Sequence, residues 1–219
     1  MPTDVNHATT AAISSVGCDL IVALTVGTAA SGSAVMTDSV GTNTWSDLTG
    51  QSVSGQAKAQ LHYTANPATS ASHTFTATLT GASTSLMVMG FSGSKLSSPF
   101  DQQNGANATS MPLSTGSITP GQDGELIVSA IYNGRTGGFA SSTDTGVAFT
   151  QISQLSQVGG VSYGSMMAYG VQGTAAAASA SWDSSGGSSN IAAVIASFKP
   201  AAALPNAILE PNDMAGGLI

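Results

Sequence analysis

Two stretches decide the fold: DLIVALTV at residues 19–26 and ELIVSAIY at residues 125–132. Each opens on an acid and then runs apolar with hardly a break. The longest apolar runs in the chain, such as Leu20 to Leu24 and Ile191 to Ile195, are about five residues, far short of the roughly 20 a membrane helix needs. A short apolar run between turn residues reads as a strand buried on both faces. The neighbouring segments alternate instead. AKAQLHYT (57–64) and the Thr-rich HTFTATLT (73–80) have period two, and SLMVMGF (85–91) is a further buried strand. Gly, Ser, Thr, Asn and Pro separate these runs, and no segment carries a sustained helical stripe. The alanine run Ala175 to Ala178 has the most helical composition, but the alternation that follows favours a strand of small side chains.

The two opening stretches stand 106 residues apart, and other landmarks keep that spacing. Thr37-Asp38-Ser39 corresponds to Thr143-Asp144-Thr145, and Tyr63 to Tyr169. Phe91 and Phe198 are 107 apart, and Trp45 aligns with Phe149. The expectation is two repeat halves, about 15–93 and 121–199, joined by residues 94–120. The fold class that follows is all-β: an antiparallel β-sandwich, jelly-roll-like, with a pseudo-two-fold relation between halves and the 19–26 and 125–132 strands placed centrally. Two tandem sandwiches are the alternative.

Composition excludes whole classes of function. Charged residues are 7% of 219, against roughly 25% in an ordinary domain. Four Lys and Arg cannot form the basic patch that neutralises phosphates, so nucleic acid is not an expected partner. Cys18 is alone, so no disulfide framework is expected, and it reads as a small hydrophobe. MPTDVNHATT has neither a basic nor an apolar signal region, so assembly in the cytoplasm is expected, with no membrane partner. The segment 201–219 (AAALPNAILEPNDMAGGLI) has two prolines and no period. It reads either as a frayed terminus or as an extended arm packing on a neighbouring subunit, with Leu204, Ile208, Leu209 and Leu218 as anchors.

No motif points to catalysis, a cofactor or a metal. His7, His62 and His73 form no zinc pattern and read as exposed or hydrogen-bonded strand residues. No G-x-S-x-G elbow is present, and the acids are spread too thinly to suggest a paired-carboxylate site. Asp38, Asn43 and Asp47 offer calcium-type oxygens. The favoured reading is a turn: Asp38 caps it, Gly41 takes positive φ, Asn43 bonds backbone, and Trp45 plugs the core. Gly186-Gly187 precedes no helix and fits no phosphate loop. Trp45 and Trp182 read as core plugs rather than sugar-stacking platforms.

Residues 17–23, 37–45, 61–66 and 88–93 together resemble β-sandwich modules of bacteriophage virion proteins and of bacterial surface or phage-tail-like proteins. The likeness spans most of residues 10–200. It implies a non-enzymatic structural virion protein: a capsid decoration or cement protein bound to the major capsid protein and to its own copies, in a trimer. A tail-fibre or receptor-binding module recognising surface glycan is the alternative. A hydrolase would need a pocket where His62 or His73 meets a carboxylate.

Overall fold

The computed structural model describes residues 7–28, 34–53, 57–79, 84–135, 139–151, 155–157, 163–185, 187 and 189–202. Among these residues every regular element is a strand. The first eight are β1 (His7–Thr9), β2 (Leu20–Gly27), β3 (Val35–Asp38), β4 (Ser46–Asp47), β5 (Gln51–Val53), β6 (Ala57–Ala65), β7 (Phe75–Thr78) and β8 (Thr84–Phe91). They form a small sheet, β1-β7-β3, and a large one, β4-β6-β2-β8, with β5 also on β6. Next come β9 (Phe100–Ala108), β10 (Leu113–Ser114), β11 (Leu126–Asn133), β12 (Phe139–Thr145), β13 (Thr150–Gln151), β14 (Leu155–Gln157), β15 (Tyr163–Val171), β16 (Ser179–Ser184) and β17 (Ile191–Phe198). These form a small sheet, β10-β16-β12, and a large one, β13-β15-β11-β17-β9, with β14 on β15.

All pairings are antiparallel. β2 with β8 encloses β3 with β7, which encloses β5 with β6. That nesting is the wrapped pattern of a jelly roll. The two large sheets share one strand order, β6-β2-β8 in one and β15-β11-β17 in the other.

The apolar runs at residues 19–26 and 125–132 follow from the layering. Leu20, Val22, Leu24 and Val26 face a core shared with Leu126, Val128, Ala130 and Tyr132 of β11. The alternate residues Ile21 and Ala23 face the other way, onto Met36, Phe75 and Ala77 of the small sheet. In the second half Ile131 packs with Trp182 and Ala180, and Ile127 with Ile118 and Ala178. A central strand covered on both faces needs apolar residues at every position. The sheets therefore stack small, large, large, small. The inner pair is the sandwich expected from joining the halves, and β2 and β11 lie centrally in it. The outer sheets modify that expectation, because each half also closes a sandwich of its own.

Two further expectations are corrected. Residues 94–120 are more than a connection, since they contain the nine-residue β9 and the short β10. β9 reads FDQQNGANA and lies at a sheet edge, half-buried at most, so no apolar alternation marks it in sequence. The alanine run precedes β16 rather than forming it. Only Ala178 pairs, in an isolated bridge to Ile118.

Candidate functional site

One set of residues able to do acid–base chemistry lies on the outer face of the first large sheet. Period two puts Gln60, His62 and Thr64 of β6 on that face, and all three are buried. Strand register sets His62 opposite Asp47 of β4 and Ala23 of β2. The His62 Nδ1 is 2.8 Å from Asp47 Oδ1, and Nε2 is 2.8 Å from Thr25 Oγ1. Burial lowers the pKa of the His62 imidazole, and the Asp47 carboxylate offsets this only in part. A neutral ring then donates from Nδ1 to Asp47 and accepts the Thr25 hydroxyl proton at Nε2, a tautomer assigned from the bonding network.

A second chain of the same groups ties the small sheet to the segment ahead of β2. Ser15 Oγ is 2.8 Å from His73 Nδ1 and accepts the Ser70 N–H at 3.0 Å. His73 Nε2 stands 3.1 Å from Asp38 Oδ1, without the alignment of a hydrogen bond. The ring also lies on Phe75, with centroids 4.1 Å apart.

Sequence alone leaves a triad assembled by the fold undecided, and the structure builds two hydroxyl–imidazole–carboxylate chains. In neither is the hydroxyl or the imidazole open to solvent. Thr25 is 2% exposed, Ser15 3%, and both imidazoles are fully buried. A nucleophile must meet a reacting carbonyl, so these buried hydroxyls serve as ties instead, Thr25 between neighbouring strands of one sheet and Ser15 between the small sheet and the segment ahead of β2. His62 is thus a hydrogen-bonded strand residue, whereas His73 is hydrogen-bonded in an isolated bridge to Ile13 ahead of β7, and both are deeply buried. Nothing in the sequence singles out Thr25, Ser15 or Asp47 as their partners; the i, i+2 spacing of Gln60, His62 and Thr64 is the signal it offers.

The Asp38 turn has the expected construction. Asp38 Oδ1 accepts the N–H groups of Val40 and Gly41 at 3.0 and 3.1 Å, and Oδ2 accepts the Trp45 indole N–H at 3.0 Å. Burial, the largest single effect, would raise the pKa of its carboxyl, and these donors with His73 together outweigh it and lower it. Gly41 has φ +75°, and Asn43 exchanges two hydrogen bonds with the Ala68 backbone. Trp45 is half-buried and meets Phe75 edge-on, and Trp182 is fully buried. Trp182 therefore presents no face to a sugar.

Among the described residues, clefts open between the halves. One, of about 250 Å³, has Phe91, Tyr169, Val171, Phe198 and Pro200 in its wall. Another, of about 230 Å³, is lined by Thr49, Gln51, Gln103, Asn104 and Gly105. Neither contains a histidine. The arm residues Leu204, Ile208, Leu209 and Leu218 lie outside the described residues. No protein-family model matches the chain, and no curated protein or solved structure is significantly similar to it.

Proposed function

We propose that the chain is a non-enzymatic structural protein of a phage particle, a capsid decoration protein that binds the major capsid protein and neighbouring copies of itself. The observation that supports it is the burial of the hydroxyl and the imidazole in both hydroxyl–imidazole–carboxylate chains. These groups tie neighbouring strands and segments together instead. The sequence resemblance supplies the virion context. A 7% charge content suits a surface covered by partners, because interface cores are depleted in charge. Exposed Val35, Leu96 and Val171 are apolar residues such contacts would cover. Gold-labelled antibodies against the purified chain, applied to the phage particles encoded with it, test the proposal. Regularly spaced label over the capsid is expected; label confined to the tail, or none, rules out decoration.

Glycan recognition is the second reading, favoured by the cleft walled by Phe91 and Tyr169. Oligosaccharides added to the labelled chain would then shift the Tyr169 resonances, and a Tyr169→Ala variant would lose binding.

A further inference from the structure

The two halves cross at one end of the molecule. Ser94 and Pro200 form an antiparallel bridge. The Lys95 N–H donates to Lys199 O at 3.0 Å, and the Ala201 N–H donates to Gly93 O at 2.8 Å. A shift of 106 residues turns each of these bonds into the other. Beside the crossing stand two aromatic pairs related in the same way. Tyr63 meets Phe198 at 5.4 Å and 66°, and Phe91 meets Tyr169 at 5.5 Å and 65°.

The first pair holds a third ring. Phe100 opens β9, which adds antiparallel to the outer edge of β17 and sets Phe100 opposite Phe198. Its ring stacks on Tyr63, with centroids 6.2 Å and planes 22° apart, and meets Phe198 at 6.4 Å and 67°. Among the described residues the second pair holds none. Phe91 and Tyr169 instead wall the cleft of about 250 Å³, and Val171 in the same wall is 65% exposed. The strand beside it, β8, is last in its sheet, so its outer edge carries no strand among the described residues. β8 reads TSLMVMGF, and an uncharged strand edge is a template for another strand.

We infer that the Phe91–Tyr169 cleft and the outer edge of β8 form a docking site for an extended segment of another protein, which pairs antiparallel with β8 and places an aromatic side chain in the cleft. β9 on β17 is the internal template for this mode. Main-chain hydrogen bonds hold such a strand, and the aromatic pocket fixes its register. β9 of a second copy does not supply the segment, because its Phe100 is already seated on Tyr63 and Phe198. By sequence the repeat offers no ring at that step either: the residue 106 beyond Phe100 is Asn206, and residues 199–219 contain no aromatic residue.

Charge sets a second requirement. Asp101, next to Phe100, pairs with Lys199 at 2.9 Å. The residue 106 before Lys199 is Gly93, and its N–H donates to the Asp19 carboxylate at 2.6 Å. The site therefore takes an uncharged residue after the aromatic, where β9 has an aspartate. The inference goes beyond the virion reading without resting on it, and it assigns the cleft to a peptide rather than to a glycan.

Titration of the isotope-labelled full chain with a synthetic peptide, followed by nuclear magnetic resonance, tests it. The peptide copies residues 98–108 with Asp101→Asn, SPFNQQNGANA. Shifts are expected in the amides of residues 86–91 and in the Tyr169 ring. A peptide that also carries Phe100→Ala should bind at least tenfold more weakly. The first peptide should lose as much on a Val171→Asp chain, whose unchanged β17 resonances report an intact fold. Equal binding of the two peptides overturns the inference. So does an absence of binding, which is the result if another part of the chain fills the cleft. Shifts confined to Tyr63 and Phe198 also overturn it, because the peptide then exchanges with β9. Tyr169 shifts produced by oligosaccharide and not by peptide assign the cleft to glycan instead.

Discussion

The indole N–H of Trp182 donates to Ser129 Oγ at 3.0 Å, and the Ser129 hydroxyl donates to Val194 O at 3.2 Å. Trp182 and Ser129 are both fully buried. The largest side chain of the second half is thus anchored by a serine in the middle of an apolar strand. Ser129→Ala leaves a buried indole N–H without a partner, which costs about 1–3 kcal/mol. Urea unfolding followed by tryptophan fluorescence should show this loss. In a Trp182→Phe background the same change should cost less, because no N–H is stranded.

His62 makes stability depend on pH. Its folded pKa lies below the ordinary 6.5, chiefly because of burial. As pH falls below 6.5 the unfolded chain takes up the proton first. Stability therefore drops through that window, until the lowered folded pKa is reached. Above 6.5 this residue contributes no slope. Urea midpoints at pH 7.5 and 5.5 should differ more for the native chain than for His62→Gln; equal differences would count against the assignment.

Gly41 and Gly146 sit at corresponding turns with φ of +75° and +78°. A side chain at either is strained by about 1–2 kcal/mol. At Gly41 an added Cβ meets nothing within 4 Å, whereas at Gly146 it would run into the Ala177 carbonyl oxygen. Gly41→Ala should lower the melting temperature modestly. Gly146→Ala should lower it clearly further, because backbone has to move.

Gly90 leaves room for Cys18. A Cβ at Gly90 would overlap Cys18 Sγ, while Cys18 Cβ remains at an ordinary 3.6 Å. Overpacking of this kind costs about 1–3 kcal/mol. Gly90→Ala should show that loss alone and recover most of it when combined with Cys18→Ala. A double-mutant cycle with no coupling would remove the contact as the cause.

Much of the fold is legible in the sequence. β2, β6, β7 and β8 fall within a residue or two of their expected places, because apolar runs and period-two alternation report which faces are buried. The Asp38–Trp45 turn is legible because capping, positive φ and side-chain-to-backbone bonding are local. β9 is not, since an edge strand paired through its backbone needs no apolar pattern. The crossties are not either: Ser15 meets His73 across 58 residues and Thr25 meets His62 across 37.

By itself the sequence determined the all-β class, the central strands and the turn chemistry, because each depends on neighbours within a few residues. The tertiary structure alone decided that four sheets stack, that two imidazoles lie sealed between hydroxyl and carboxylate, and that the edge of β17 is closed by β9. Those outcomes depend on which surfaces meet after folding, and hydrogen-bonding side chains carry no mark of a partner so distant in the chain.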